Sequence, residues 1–172
     1  MRALGKGSLA SILAVLLHVT RVILWIAFIG LSIAILTIPF LPILIKVVAG
    51  IDSGSIASEL DIDADDTLEI IQHFITFGVL IYSINRLLEI LKTLRFGSPF
   101  VRENAERFTR VGLALLVGEG AKIVLGVISV VVDANVEIEI EMISWLAIAA
   151  VFVLAAVFRE GARMKEEQDL TV

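Results

Sequence analysis

The chain has 172 residues, of which 58% are hydrophobic, and its mean hydropathy is +0.97. Soluble domains contain about 45–50% apolar residues, so this composition indicates a membrane protein. The sequence has no cysteine, which excludes disulfides, thiolate nucleophiles and cysteine-based metal sites. The formal net charge is −5, but the charges are segregated along the chain, so their positions are more informative than their sum.

Four segments are long and apolar enough to cross a bilayer, which takes about 20 residues. They predict spans at about residues 20–44, 67–88, 109–132 and 142–158. The apolar run at residues 8–17 is compatible with two structures, a segment lying in the inner interface or an extension of the first helix. The segments are too long and continuous for barrel strands. The predicted fold is therefore an all-α membrane protein, a four-helix bundle forming one domain.

Basic residues are concentrated at the start of the chain, between spans two and three, and after span four. The other two connections contain one cation, Lys46, against eleven acids. The positive-inside rule therefore places both termini and the middle connection in the cytoplasm.

The outer connections predict a small β-ribbon but no metal site. Residues 135–141 alternate apolar and acidic side chains with the period of a strand, and residues 56–62 could pair with them. The acidic stretch at residues 61–66 lacks the glycine and glutamate that an EF-hand loop needs at its sixth and twelfth positions. We interpret it as a solvated loop, with Asp66 and Glu69 forming a capping box at the start of span two.

Two charged residues interrupt the third span. Glu119 and Lys122 are spaced i, i+3, so they can form an ion pair on one helix face. The helical rise places Glu119 within reach of span two, which defines an intramembrane polar cluster of Glu119, Lys122, Tyr82, Asn85 and Arg86. The cluster is either a site for a proton, ion or polar ligand, or a buried pair that fixes helix register. The second interpretation is favoured, because one pair provides no continuous path.

The segment "FGSPFVRENAERFTR" follows span two. Ser98 can cap a helix and Pro99 suits its first position, so the sequence predicts an inner loop helix at residues 98–110. Its apolar residues share one face, and i, i+4 spacing predicts ion pairs of Arg102 with Glu106, Glu103 with Arg107 and Glu106 with Arg110. Its cations make it a topology anchor, and the alternative is a dedicated docking site. A cytoplasmic tail at residues 159–172 continues span four.

Two motifs on the predicted cytoplasmic side carry a family resemblance. The first comprises Gly97, Pro99, Phe100, Asn104, Arg107 and Arg110, and the second comprises Phe158, Arg159, Gly161 and residues 166–171. They resemble a bacterial family of four-span inner-membrane proteins catalogued only as a domain of unknown function, with a Gly-x-Pro-Phe loop and a Glu-Glu-Gln-Asp-Leu-Thr tail. The resemblance covers most of the chain and implies location in the bacterial inner membrane. Genes of this family commonly neighbour one for a small Cro/C1-type helix-turn-helix regulator, which implies a cytoplasmic regulatory partner.

Three hypotheses for function result, and none is enzymatic, because no catalytic set or phosphate-binding loop is recognisable. One of them is a stress-related membrane protein that binds no ligand. We expect no cofactor and no metal. The first hypothesis is a regulatory or interaction protein in the lipid bilayer, without direct contact to nucleic acid. Its candidate partner surface comprises Pro99, Phe100, Arg102, Asn104, Arg107, Arg159 and Arg163. The second is a small oligomeric ion or solute transporter built around Glu119, Lys122 and Tyr82.

Overall fold

The computed structural model describes residues 9–37, 64–96, 99–134 and 141–170, together with Phe40 and Val47. Four helices account for nearly all of them: α1 (Leu9–Thr37), α2 (Ala64–Phe96), α3 (Arg102–Val131) and α4 (Met142–Asp169). Each is long and apolar enough to cross a membrane, since 28 helical residues measure about 42 Å and the hydrocarbon core about 30 Å. The predicted all-α membrane fold with four spanning helices is confirmed.

The helices pack in chain order, α1 on α2, α2 on α3 and α3 on α4. Neighbours are antiparallel, as the contacts Phe28–Phe74 and Arg21–Asn85 show for α1 and α2. The start of α1, the end of α2, the start of α3 and the end of α4 therefore lie together, and we call this end of the domain the basic end. The sequence predicts that it faces the cytoplasm.

The interior is built mainly by α2, α3 and α4. The apolar part of α1 buries none of its residues, whereas each of the other helices contributes to the core. Apolar side chains that remain exposed suit contact with lipid tails. Close approach of α3 and α4 depends on Gly112, where a β-carbon would lie 3.0 Å from Cζ of Phe152. The small residue thus sets the separation of these two helices.

The first helix includes the apolar run that the sequence left open. It runs from Leu9 to Thr37, so residues 9–17 extend the helix, which is one of the two structures compatible with the sequence. No helix breaker separates that run from Arg21, which explains the early start.

The predicted inner loop helix at residues 98–110 is not a separate element. α3 begins at Arg102, after an extended Val101 (φ −124°, ψ 147°) without a side-chain cap, and runs unbroken to Val131. The Asn104 side chain donates to the carbonyl of Pro99 at 2.9 Å and so stabilises a non-helical turn before the helix. At its other end α3 closes with Asp133 at φ 57° and a 2.8 Å bond from the Ala134 amide to the Ser129 carbonyl, a Schellman-type cap.

The sequence predicted a capping box and a β-ribbon at the end of the domain opposite the basic end. α2 begins at Ala64, so Asp66 lies within its first turn together with Asp65. The capping box with Glu69 was therefore wrong, and the two aspartates instead complement the positive end of the helix dipole. The β-ribbon of residues 56–62 and 135–141, apart from Glu141, lies outside the described residues, as do residues 61–63 of the acidic stretch.

Candidate functional site

A carboxylate on α2 binds two arginine side chains at the basic end. Both oxygens of Glu89 accept from Nη1 of Arg86 at 3.0 Å, and Oε2 also accepts from Nε of Arg107 at 3.2 Å. The Arg86–Glu89 pair has the i, i+3 spacing visible in the sequence, whereas the bond to Arg107 crosses from α2 to α3. Glu89 thus fixes the end of α2 against the start of α3.

Asn104 is the centre of the same network and is fully buried, with 0% of its surface exposed. Its amide nitrogen donates to Oγ1 of Thr93 at 2.7 Å and to the Pro99 carbonyl, and its oxygen accepts from Nη1 of Arg107 at 2.8 Å. The Thr93 hydroxyl in turn donates to the carbonyl of Ile90 at 2.7 Å. Each polar atom of this buried amide therefore has a partner, as burial requires.

Three aromatic rings connect the same region to α4. The ring centroid of Phe158 lies 5.5 Å from that of Phe100 and 4.9 Å from that of Phe108. Gly161, one turn further along α4, is buried against Phe100, and a β-carbon there would overlap that ring, with Cε1 at 2.8 Å. We call Phe100, Phe108, Phe158 and Gly161 the aromatic clamp. It holds the connection between α2 and α3 against the end of α4.

A cavity of about 570 Å³ opens between α1 and α2 near the basic end. Its lining combines cations, one carboxylate and apolar side chains: Ala14, His18 and Arg21 from α1, and Tyr82, Asn85, Arg86, Leu88, Glu89, Leu91 and Lys92 from α2. We call it the basic cavity. Nη1 of Arg21 donates to Oδ1 of Asn85 at 3.2 Å. The guanidinium carbon of Arg86 lies 5.0 Å from the ring centroid of Tyr82, within the range of a cation–π contact.

The structure separates the predicted intramembrane cluster into two groups. Nζ of Lys122 donates to Oε1 of Glu119 at 3.0 Å, and their side chains are 24% and 12% exposed. Among the described residues neither has a further hydrogen bond. A β-carbon on Gly118 would face Val79, and Arg86 lies seven residues, or about 10 Å, further along α2. Glu119 and Lys122 therefore pair alone, while Tyr82, Asn85 and Arg86 line the basic cavity.

The predicted partner surface also divides. Arg102, Arg159 and Arg163 are exposed, and Arg163 forms ion pairs with Glu160 at 2.6 Å and Glu167 at 3.6 Å. The remaining four predicted residues have internal contacts: Asn104 and Arg107 belong to the buried network, the Pro99 carbonyl accepts from Asn104, and Phe100 belongs to the aromatic clamp. Phe100 nevertheless remains 42% exposed, so the accessible part of the predicted surface comprises the three arginines and part of Phe100.

Several residues of this region were not predicted as site residues. Glu89 and Thr93 bond to residues of α3 that lie 18 and 11 positions away, and Arg21 reaches Asn85 across 64 positions. Spacing along one helix cannot reveal such contacts. For Glu89 the sequence did contain a signal, because its i, i+3 spacing from Arg86 indicates an ion pair at this end of α2.

The described residues contain no group of three or more His, Cys, Asp or Glu side chains that could hold a metal ion.

No curated protein and no solved structure matches the chain. One protein family does, described as "Protein of unknown function (DUF2975)", over residues 67–172, which include most of α2 and all of α3 and α4. This match covers more than half of the chain, and the protein therefore belongs to the DUF2975 family.

Proposed function

We propose that the protein is a non-enzymatic regulatory protein of the bacterial inner membrane, and that its basic end binds a cytoplasmic protein. The observation that carries this proposal is the aromatic clamp, which joins the connection between α2 and α3 to the end of α4. The exposed Arg102 and Arg159 lie close in sequence to members of this clamp, Phe100 and Phe158. The charges from two distant parts of the chain thus belong to one packed unit.

Such a unit goes beyond what a topology anchor requires. The positive-inside rule depends on the number of basic residues near a span and requires no fixed arrangement among them. Here a satisfied, fully buried Asn104 and a glycine pressed against Phe100 fix the arrangement. A preorganised surface loses less conformational entropy on association, so this rigidity supports a role in binding.

The chemistry of the exposed residues indicates the partner's contact surface. Guanidinium groups bind carboxylates through paired, charge-assisted hydrogen bonds. Arg102 and Arg159 have no ion pair within the described part of the chain, so both are available to an acidic segment. Arg163 would exchange its pairs with Glu160 and Glu167 for the partner's carboxylates. The family resemblance implies a small helix-turn-helix regulator as the partner, and the exposed arginines would require that regulator to present an acidic surface.

Capture from native membranes tests the proposal. The tagged protein is cross-linked in cells, purified, and compared with an Arg102→Gln/Arg159→Gln variant, with bound proteins identified by mass spectrometry. Glutamine preserves hydrogen bonding and avoids the topology changes that acidic substitutions risk. Glu141→Gln, at the opposite end of α4, is the control. We expect the wild type and the control to retain a helix-turn-helix protein and the double variant to lose it; equal retention by all three would refute the proposal.

The partly buried ion pair of α3 favours a second candidate, an ion or solute transporter. A charge within a spanning segment often marks an ion pathway, and Glu119 and Lys122 form such a pair. Flux into proteoliposomes, with Glu119→Gln and Lys122→Met as variants, tests this candidate. Wild-type flux of protons and common ions no higher than in empty vesicles would exclude it.

A further inference from the structure

We propose that the basic cavity between α1 and α2 is a binding site for a phosphate-bearing anion, held by Arg21, Arg86 and Lys92. This goes beyond the proposed function and does not depend on a protein partner. The two helices supply cations to a single cavity from positions far apart in the sequence, an arrangement that chance surface charge does not explain.

The first argument is the charge that remains after internal pairing. Three permanent cations line the cavity against one carboxylate, that of Glu89. Glu89 already accepts from Arg86 and from Arg107, which lies outside the lining. Arg21 bonds a neutral amide, and Lys92 has no hydrogen bond or ion pair within the described residues. The cavity therefore has excess positive charge, and in a site partly shielded from water such charge attracts an anion strongly.

The second argument is a hydrogen-bond donor without an acceptor. Nε of Arg86 is buried and has no partner among the described residues. One nitrogen of the same guanidinium bonds Glu89, and the group lies over the Tyr82 ring. A buried donor left without an acceptor is costly, more so when it is charged. Nε itself lies below the surface, but 27% of the Arg86 side chain is exposed, so an anion with several oxygens can contact the same guanidinium together with the two neighbouring cations.

The third argument is size and depth. The volume of about 570 Å³ falls within the range of about 300–1,000 Å³ that is typical of small-molecule sites. Arg86 lies about 13 Å along the helix from the centre of the predicted span at residues 67–88, near the edge of a hydrocarbon core with a half-thickness of about 15 Å. Leu88 and Leu91 add apolar lining. Basic pockets between helices at this depth suit phospholipid headgroups, and a soluble phosphate compound offers the same chemistry.

The test uses the full chain in nanodiscs and separates the two sources. In the lipid arm, native mass spectrometry counts the molecules of phosphatidylglycerol or cardiolipin retained from mixed discs. In the soluble arm, calorimetry measures binding of inorganic pyrophosphate to the protein in phosphatidylcholine discs. The variants are Arg21→Gln, Lys92→Gln and the charge-preserving Lys92→Arg. Lys165→Gln, which removes a cation of α4 outside the cavity at the same end, is the control for non-specific attraction.

We expect saturable binding in at least one arm, weakened about tenfold by Arg21→Gln or Lys92→Gln, because each removes a charge-assisted contact. Lys92→Arg and Lys165→Gln should bind within about twofold of the wild type, and circular dichroism identifies any variant that has lost its fold. Binding in the lipid arm alone assigns a phospholipid, and binding in the soluble arm alone assigns a soluble phosphate. Absence of binding in both arms, or an equal loss for Lys165→Gln and the cavity variants, would overturn the proposal.

Discussion

Gly161→Ala should destabilise the protein because it inserts a methyl group into the aromatic clamp. The added carbon would lie 2.8 Å from Cε1 of Phe100 and closer still to Cδ1, so the ring must move away from α4. Overpacking of this kind costs about 1–3 kcal/mol. Replacing a helical glycine by alanine also stabilises a helix by about 1 kcal/mol, so the net loss is expected to lie between about 0 and 2 kcal/mol.

Gly120→Ala is the matched control, because Gly120 lies in α3 and a β-carbon there would have no atom within 4 Å. Gly120→Ala should gain the stabilisation of about 1 kcal/mol that alanine gives a helix, without the overpacking cost. The predicted difference between the two variants is therefore about 1–3 kcal/mol, the overpacking cost itself. Reversible unfolding by SDS in mixed micelles, followed by circular dichroism, measures it.

A double-mutant cycle makes the prediction specific to the clamp. Combining Gly161→Ala with Phe100→Ala removes the ring that the new methyl group would strike, so the two substitutions should cost less together than the sum of their separate costs. If Gly161→Ala is as stable as Gly120→Ala, the clamp does not hold the connection between α2 and α3 against α4.

Three further predictions concern the buried polar groups and the topology. Asn104→Ala should destabilise the protein by about 2–4 kcal/mol in the same SDS assay, because it leaves buried partners unpaired; a loss below about 1 kcal/mol would contradict the network. Glu119→Gln should lower the free energy of unfolding, because it leaves the charge of Lys122 without its partner. Adding Lys122→Met should restore much of the loss, because it removes that charge. No recovery would mean that the pair is not isolated. The chain lacks cysteine, so single cysteines at Asp169 and Glu141 can be labelled selectively, and we expect an impermeant maleimide added outside spheroplasts to label only the second.

The spans were predictable because they depend on composition. About 20 consecutive apolar residues have few alternatives to a spanning helix, and three of the four predicted spans fall within helices of the structure or end within one residue of them. The start of α1 was not predictable with the same certainty, because residues 8–17 are apolar enough for either an interfacial segment or a longer helix.

The candidate site was predictable only where partners share a helix. The spacing of Glu119 and Lys122 and that of Glu106 and Arg110 predicted ion pairs, and both pairs occur. For Arg107 the same rule favoured Glu103, yet its partners are Glu89 and Asn104. The contacts between helices form instead, because a hydrogen bond to the fully buried Asn104 is worth more than an exposed pair along one helix.

The proposed role of the basic end is tested most directly by the affinity of the captured partner. The protein is placed in nanodiscs, and binding of the purified partner is measured by biolayer interferometry at two salt concentrations. Two charge-assisted contacts are removed in Arg102→Gln/Arg159→Gln, so we predict that its Kd rises at least about tenfold while that of Glu141→Gln is unchanged. Equal Kd values for the wild type and the double variant at both salt concentrations would contradict the proposed role of the basic end.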